Sequence, residues 1–237
     1  MKRLITIILA AVMLFALAAC ETTNDPATSG STQSTNESTS ANNATSDPDT
    51  ASETGQTTNE PETDTKILVV YFSRTGEQYS VGNIDKGNTA IVAEMIAEKT
   101  GADLYEILPE TDYYPYTYKE LTDVAKKEQS EKARPKIKGD LPDVSKYDTI
   151  FIGAPVWWGD WPMICYTFFE SVDLSGKKLA PFSTHEGSGL SGFDKKLASA
   201  VPGATVLTGQ AVRGNECQNK QSDVNSAVNK WIDGLGY

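Results

Sequence analysis

Residues Lys66 to Gly76 read KILVVYFSRTG. The run Ile67 to Phe72 is continuously apolar rather than alternating. That is the pattern of a strand covered on both faces, as in a parallel sheet. It stops abruptly at Ser73-Arg74-Thr75-Gly76. Hydroxyls, backbone N–H groups and a glycine at the carboxyl end of such a strand suit a loop that wraps a phosphate. Ligands of open α/β sheets bind at that end. A buried strand ending in an ordinary polar turn fits the same residues, so the rest of the chain has to decide.

Downstream, strand and helix patterns alternate. Asn88 to Lys99 carries apolar residues at 91, 92, 95 and 96, a helical face, and Gly101 follows as a stop. Asp103 to Ile107 reads as a second strand. Tyr116 to Lys132 is a charged amphipathic helix with lysines toward its end. Asp148 to Gly153 is a third buried strand. Trp161 to Val172 is a helix, with Pro162 tolerated in its first turn. Lys178 to Ser183 is a fourth strand and Phe193 to Val201 a helix. Ala204 to Thr208 is the fifth strand, and Ser222 to Leu235 the last helix. This alternation predicts a parallel sheet covered by helices on both faces.

Upstream, the chain is built differently. Met1 to Cys20 has a basic start at Lys2 and Arg3 and a 16-residue apolar run, Leu4 to Ala19. The run is short for a membrane span and suits a secretory signal. It ends in Leu17-Ala18-Ala19-Cys20, which resembles the bacterial lipobox, so Cys20 is the expected site of a lipid anchor. Residues 21–65 hold nine acidic residues, no Lys or Arg and no aromatic residue. Such a stretch buries too little to offset its ordering entropy and is expected to be a disordered tether. Of the chain's net charge of −11, the signal contributes +2, the tether −9 and residues 66–237 the remaining −4. The sign is wrong for nucleic acid, and there is no basic stripe. The 172 residues of 66–237 suffice for one domain with its own core. A single histidine and no cysteine pair at ligand spacing make a zinc site improbable. Cys165 sits in an apolar helical pattern; whether it meets Cys217 is not readable from spacing.

Three loops follow the carboxyl ends of the first, third and fourth strands. The first is Ser73-Arg74-Thr75-Gly76. The second, Gly153 to Gly159, contains Pro155, Val156, Trp157, Trp158 and Gly159. Tryptophans in a connection either pack on the core or line a pocket. Trp161 is expected to pack; Trp157 or Trp158 is expected to wall a ligand. The third loop is Thr184-His185-Glu186-Gly187-Ser188-Gly189, where glycine lets backbone N–H groups approach a ring edge. His185 has no nucleophile beside it, so a contact role is expected rather than a catalytic base.

Together, YFSRTG, GAPVWWGDWP and THEGSGLSG resemble the flavodoxins, in particular lipid-anchored extracytoplasmic ones. The resemblance covers 66–237. It implies an α/β, flavodoxin-like three-layer sandwich: a five-stranded parallel sheet of order 2-1-3-4-5 with helices on both faces and FMN at the switch point. By position, Ser73, Thr75 and Gly76 would cradle the FMN phosphate, with Arg74 beside them. Pro155 to Gly159 would lie over the isoalloxazine, and Thr184 to Gly189 along its pyrimidine side. One departure stands out. Eleven residues, Glu77 to Gly87, separate the loop from Asn88-Thr89, where the family runs straight into its helix. This insert is expected to bulge outward, with Asn88-Thr89 capping the helix aimed at the phosphate.

The implied activity is that of an FMN-binding, extracytoplasmic, lipid-anchored electron-transfer flavoprotein, either carrier or FMN-dependent oxidoreductase. Its partner would be a redox protein or a small-molecule electron acceptor, with the membrane reached through Cys20. Two rivals remain: an NAD(P)H-dependent flavin or quinone reductase, and a cofactor-free lipoprotein binding module.

Overall fold

The computed structural model describes residues 66–237. The signal segment, Cys20 and the tether lie outside the described residues. Strand β1 (Ile67–Tyr71) is buried at every position, as its unbroken apolar run requires. β4 (Asp103–Glu106) pairs with one side of β1 and β5 (Thr149–Pro155) with the other. β6 (Lys178–His185) then pairs with β5. β7 (Thr205–Val206) and β8 (Gln210–Arg213) both pair with β6. Every pairing in this sheet is parallel, and the order is β4-β1-β5-β6-β7. In strand count along the chain that is the expected 2-1-3-4-5.

The fifth strand is the exception to the expected boundaries. It is split, with β7 on Lys178–Leu179 and β8 on Phe182–His185. Pro181 lies between these registers on β6, and a proline has no N–H for the ladder. Its carbonyl faces Gly209, where a Cβ would come within 2.8 Å of it. The chain therefore bulges at 207–209 and resumes pairing one strand-half later.

Alternate residues of the central strands feed two cores. Leu68, Val70, Phe72, Ile150 and Ile152 point to one face, where α3 (Met163–Ser171) and α4 (Phe193–Ala200) contribute Ile164, Phe168 and Leu197. Ile67, Val69, Tyr71 and Phe151 point to the other, where α1 (Asn88–Thr100) and α6 (Gln221–Leu235) contribute Ile91, Ile96, Val228 and Ile232. Cys165 belongs to the first core and Cys217 to the second; both are free thiols on opposite faces of the sheet. No helix among the described residues is long and apolar enough to cross a membrane.

The insert folds back rather than simply bulging out. Gly76–Gln78 (β2) and Gly82–Ile84 (β3) form an antiparallel hairpin. Its base is fixed to the start of α2 (Tyr118–Glu131): the Glu77 N–H donates to the Tyr116 carbonyl at 3.0 Å, and the Tyr118 N–H donates to Glu77 Oε2 at 2.7 Å. A short helix, α5 (Gly214–Asn219), also unforeseen, follows β8 directly.

Candidate functional site

The first loop reaches its partner helix through Ser73. The Ala90 N–H, in the first turn of α1, donates to Ser73 Oγ at 3.0 Å. That is the bond an N-cap side chain normally accepts. The residue at the cap position is Gly87, with no side chain to offer. A Cβ there would overlap Ser73 Oγ and come within 2.7 Å of the Arg74 carbonyl. Glycine is therefore required by close approach, and Ser73 takes over the capping across 17 residues of chain. Asn88-Thr89 do not cap the helix as expected. The Asn88 Oδ1 instead accepts from Gln218 Nε2 at 2.8 Å, and the Thr89 hydroxyl shares a 2.8 Å hydrogen bond with the Thr184 hydroxyl.

This arrangement suits an anion. The first two N–H groups of α1, on Asn88 and Thr89, have no acceptor within the helix by its geometry. They sit at the positive end of a 13-residue helix. Ser73 Oγ, already an acceptor from Ala90, keeps its own proton free to donate.

Arg74 stands apart. Its guanidinium donates to the carbonyls of Glu77 at 2.9 Å, Tyr116 at 2.8 Å and Pro115. Burial pulls its pKa down, against the opposing pull of Glu77. The side chain ties the hairpin to the approach of α2. Thr75 is exposed and lines a neighbouring cavity on the β4 side. Gly76, at φ 88°, packs beneath Tyr116, where a Cβ would come within 2.8 Å of that residue's carbonyl.

The second loop closes as a tight turn. The Trp157 N–H donates to the Asp160 carbonyl and the Asp160 N–H to that of Trp157, each at 2.9 Å. Trp158 and Gly159 between them have φ 51° and 72°, the signs of a type I′ turn. A left-handed tryptophan costs about 1–2 kcal/mol. Its Nε1–H offsets part of this by donating to the Thr122 carbonyl on α2 at 2.9 Å, and its own carbonyl accepts from Gln129 at 3.2 Å. Lys196 of α4 donates to the Gly159 carbonyl from the far side. Trp157 is half-buried, its ring edge-on to Phe72 at 5.3 Å and to Tyr114 at 5.1 Å. Behind Tyr114 lies Glu128, buried and hydrogen-bonded by Tyr113 and Tyr114. Burial raises its pKa. Trp161 is fully buried, stacked on Phe193 at 3.7 Å, and belongs to the core as expected.

In the third loop, the Gly187 N–H donates to His185 Nδ1 at 2.8 Å. Burial lowers the His185 pKa, so the ring is neutral at pH 7 with its proton on Nε2. Glu186 turns to the start of α5, accepting from the Asn215 N–H at 2.6 Å. Ser183 Oγ donates to the Gly189 carbonyl at 3.0 Å, which folds the loop back onto β6.

One cavity of about 280 Å³ at the carboxyl ends of β1, β5 and β6 gathers most of these groups. Ser73, Arg74, Asn88 and Thr89 line it, with Pro155, Val156, Trp157, Trp158 and Gly159, and with Thr184, His185, Glu186 and Ser188. Thr75, Gly76, Gly187 and Gly189 are not in its lining. Gln78, Tyr79 and Val81 of the hairpin, Tyr118 and Leu121 of α2, and Gly214 line it too and were missed from the sequence. No sequence signal marks the hairpin: its strands are three residues each, and the turn between them, Tyr79-Ser80-Val81, holds none of the Asn-Gly or Asp-Gly pairs of a tight hairpin.

Comparison with known proteins agrees with this picture. The family profile described as Flavodoxin matches residues 66–233. A crystal structure of a candidate flavoprotein from Bacteroides uniformis is 32% identical, covers 71% of this chain and 98% of its own, and superposes with a TM-score of 0.58. A second, from Bacteroides eggerthii, is 30% identical over 73% of this chain and 98% of its own, with a TM-score of 0.57. A flavoprotein from Lactobacillus acidophilus, crystallised in complex with FMN, is 25% identical over 67% of this chain and 99% of its own, with a TM-score of 0.52. Among curated proteins no match is found. With its sheet order, its three loops and a profile match across nearly all the described residues, the chain belongs to the flavodoxin family.

Proposed function

We propose that this protein is an FMN-binding flavoprotein that exchanges electrons outside the cytoplasm, held at the membrane by a lipid on Cys20. The observation carrying the flavin assignment is that the anion cradle of Ser73 and α1 opens into the same cavity as the tryptophan turn and the Gly-rich loop. The cradle accepts nothing bulkier at Gly87 than a hydrogen atom, which fits close wrapping of a phosphate. The FMN complex of the Lactobacillus acidophilus relative supports the same ligand here.

Ser73 and the N–H groups of Asn88 and Thr89 would hold the phosphate. The Trp157–Asp160 turn and residues 184–188 would flank the ring and keep water from it. FMN bound there supplies reversible one- or two-electron exchange. The Nδ1 lone pair of His185 already accepts the Gly187 N–H and Nε2 carries the proton, so the ring has no free lone pair to act as a base and orients the loop instead. Titrating flavin-free protein with FMN tests the assignment: saturable binding at one site supports it, and absence of binding rejects it.

The anchor is supported by the lipobox-like Leu17-Ala18-Ala19-Cys20 at the end of an apolar run. Cys20→Ser is expected to move the protein from the membrane fraction to the soluble one in a bacterial host. Unchanged membrane association in that variant would reject the lipid anchor. The electron acceptor would be a redox protein or a small molecule reaching the cavity mouth.

A further inference from the structure

The inserted hairpin brings an exposed aromatic rim to the cavity. Tyr79 at its tip is 58% exposed, Tyr118 on α2 is 37% exposed, and Trp158 is 51% exposed. All three line the cavity that contains the anion cradle. The rings of Tyr79 and Tyr118 lie 5.5 Å apart, tilted by 33°. Trp158 is fixed to the next turn of α2 through Thr122, at 2.9 Å. Three large rings left open on one concave surface mark a place where something apolar or flat binds.

The rim is held in place rather than loosely attached. Arg74 binds the carbonyls of Glu77 and Tyr116, and the Glu77 carboxylate caps α2 at Tyr118. The same side chains that shape the phosphate loop thus set where Tyr79 stands. On the opposite flank, residues 186–192 contain no aromatic residue. Beyond the tryptophan turn, the Tyr, Phe and Trp side chains among the lining residues come from the hairpin and α2, the only other aromatic ring there being the His185 imidazole.

We propose that Tyr79, carried by the inserted hairpin and backed by Tyr118, is a ring-contacting residue for the isoalloxazine. The insert is then a built-in wall of the flavin site, not a decoration beside it. This inference rests on the FMN reading above.

The test uses the full-length protein freed of flavin, titrated with FMN and, separately, with riboflavin, which has the same ring but no phosphate. Flavin fluorescence reports binding. Tyr79→Ala is expected to weaken FMN and riboflavin by the same factor, about three- to tenfold, the range of an aromatic stacking contact. Tyr79→Phe is expected to restore both. Ser73→Ala is expected to weaken FMN while leaving riboflavin unchanged. Because Tyr79 is mostly exposed, the flavin-free Tyr79→Ala variant should melt where the wild type does. Unchanged affinity of Tyr79→Ala for both flavins overturns the proposal. So does a loss confined to FMN, which would place the effect on the phosphate loop. A destabilised Tyr79→Ala whose Phe counterpart fails to recover riboflavin binding overturns it as well. Wild-type protein that binds neither flavin overturns the FMN reading itself, a failure visible before any variant is made.

Discussion

At the scale of single residues, Gly87 decides whether the site can form. Any side chain there meets Ser73 Oγ and the Arg74 backbone; the hydroxyl can turn away only by giving up its bond to Ala90, and the backbone can retreat only by moving the loop. Gly87→Ala is expected to destabilise the protein by about 1–3 kcal/mol through overpacking and to weaken FMN at least tenfold. Melting and FMN titration of the variant check this; wild-type values in both would show that the loop is looser than its contacts imply. Ser73 and Trp157 could be read from sequence because they lie just beyond buried apolar strands, and Thr184 because it sits at the carboxyl end of another. The role of Arg74 could not, because its acceptors arrive from residues 115 and 116, some 40 positions later. Glu128 was equally hidden. Its burial arises only when Tyr113 and Tyr114 fold over it. Its pKa is raised in the folded protein, so the native state holds that proton more tightly than the unfolded chain does. Its contribution to stability is complete below the ordinary carboxyl range and is lost as pH rises through the folded value. Glu128→Gln is therefore expected to melt above the wild type at pH 7 and to lose that advantage toward pH 4. Destabilisation at both pH values would contradict the sign.

At the scale of elements, the hairpin and α2 form one unit. Thr117 occupies the cap position of α2 without capping it, and Glu77 supplies the missing acceptor from the insert. Removing it in Glu77→Ala is expected to cost about 1 kcal/mol. For a domain of this size that is a fall of about 2–4 °C in melting temperature. A wild-type melting temperature would show that the cap carries no weight. The buried strands were legible because continuous apolar runs mark coverage on both faces. The hairpin was not, because its two strands are three residues each and carry no apolar alternation. The split of the fifth strand was concealed for another reason. Its cause, Pro181, lies in the neighbouring strand, so only the pairing reveals it.

At the scale of the whole molecule, the sheet order brings β1, β5 and β6 side by side, and their carboxyl ends share one cavity. Loops far apart in sequence become neighbours, as the hydrogen bond between Thr89 and Thr184, 95 positions apart, shows. The phosphate loop after the first strand is thus completed by groups the first strand does not carry. The central claim is that this assembly binds FMN through its phosphate and its ring together. The most direct measurement is a fluorescence titration of flavin-free protein with FMN, with riboflavin alongside. One saturable FMN site, with riboflavin bound more weakly at the same site, is the expected result. No FMN binding, or FMN and riboflavin bound with equal affinity, would contradict it.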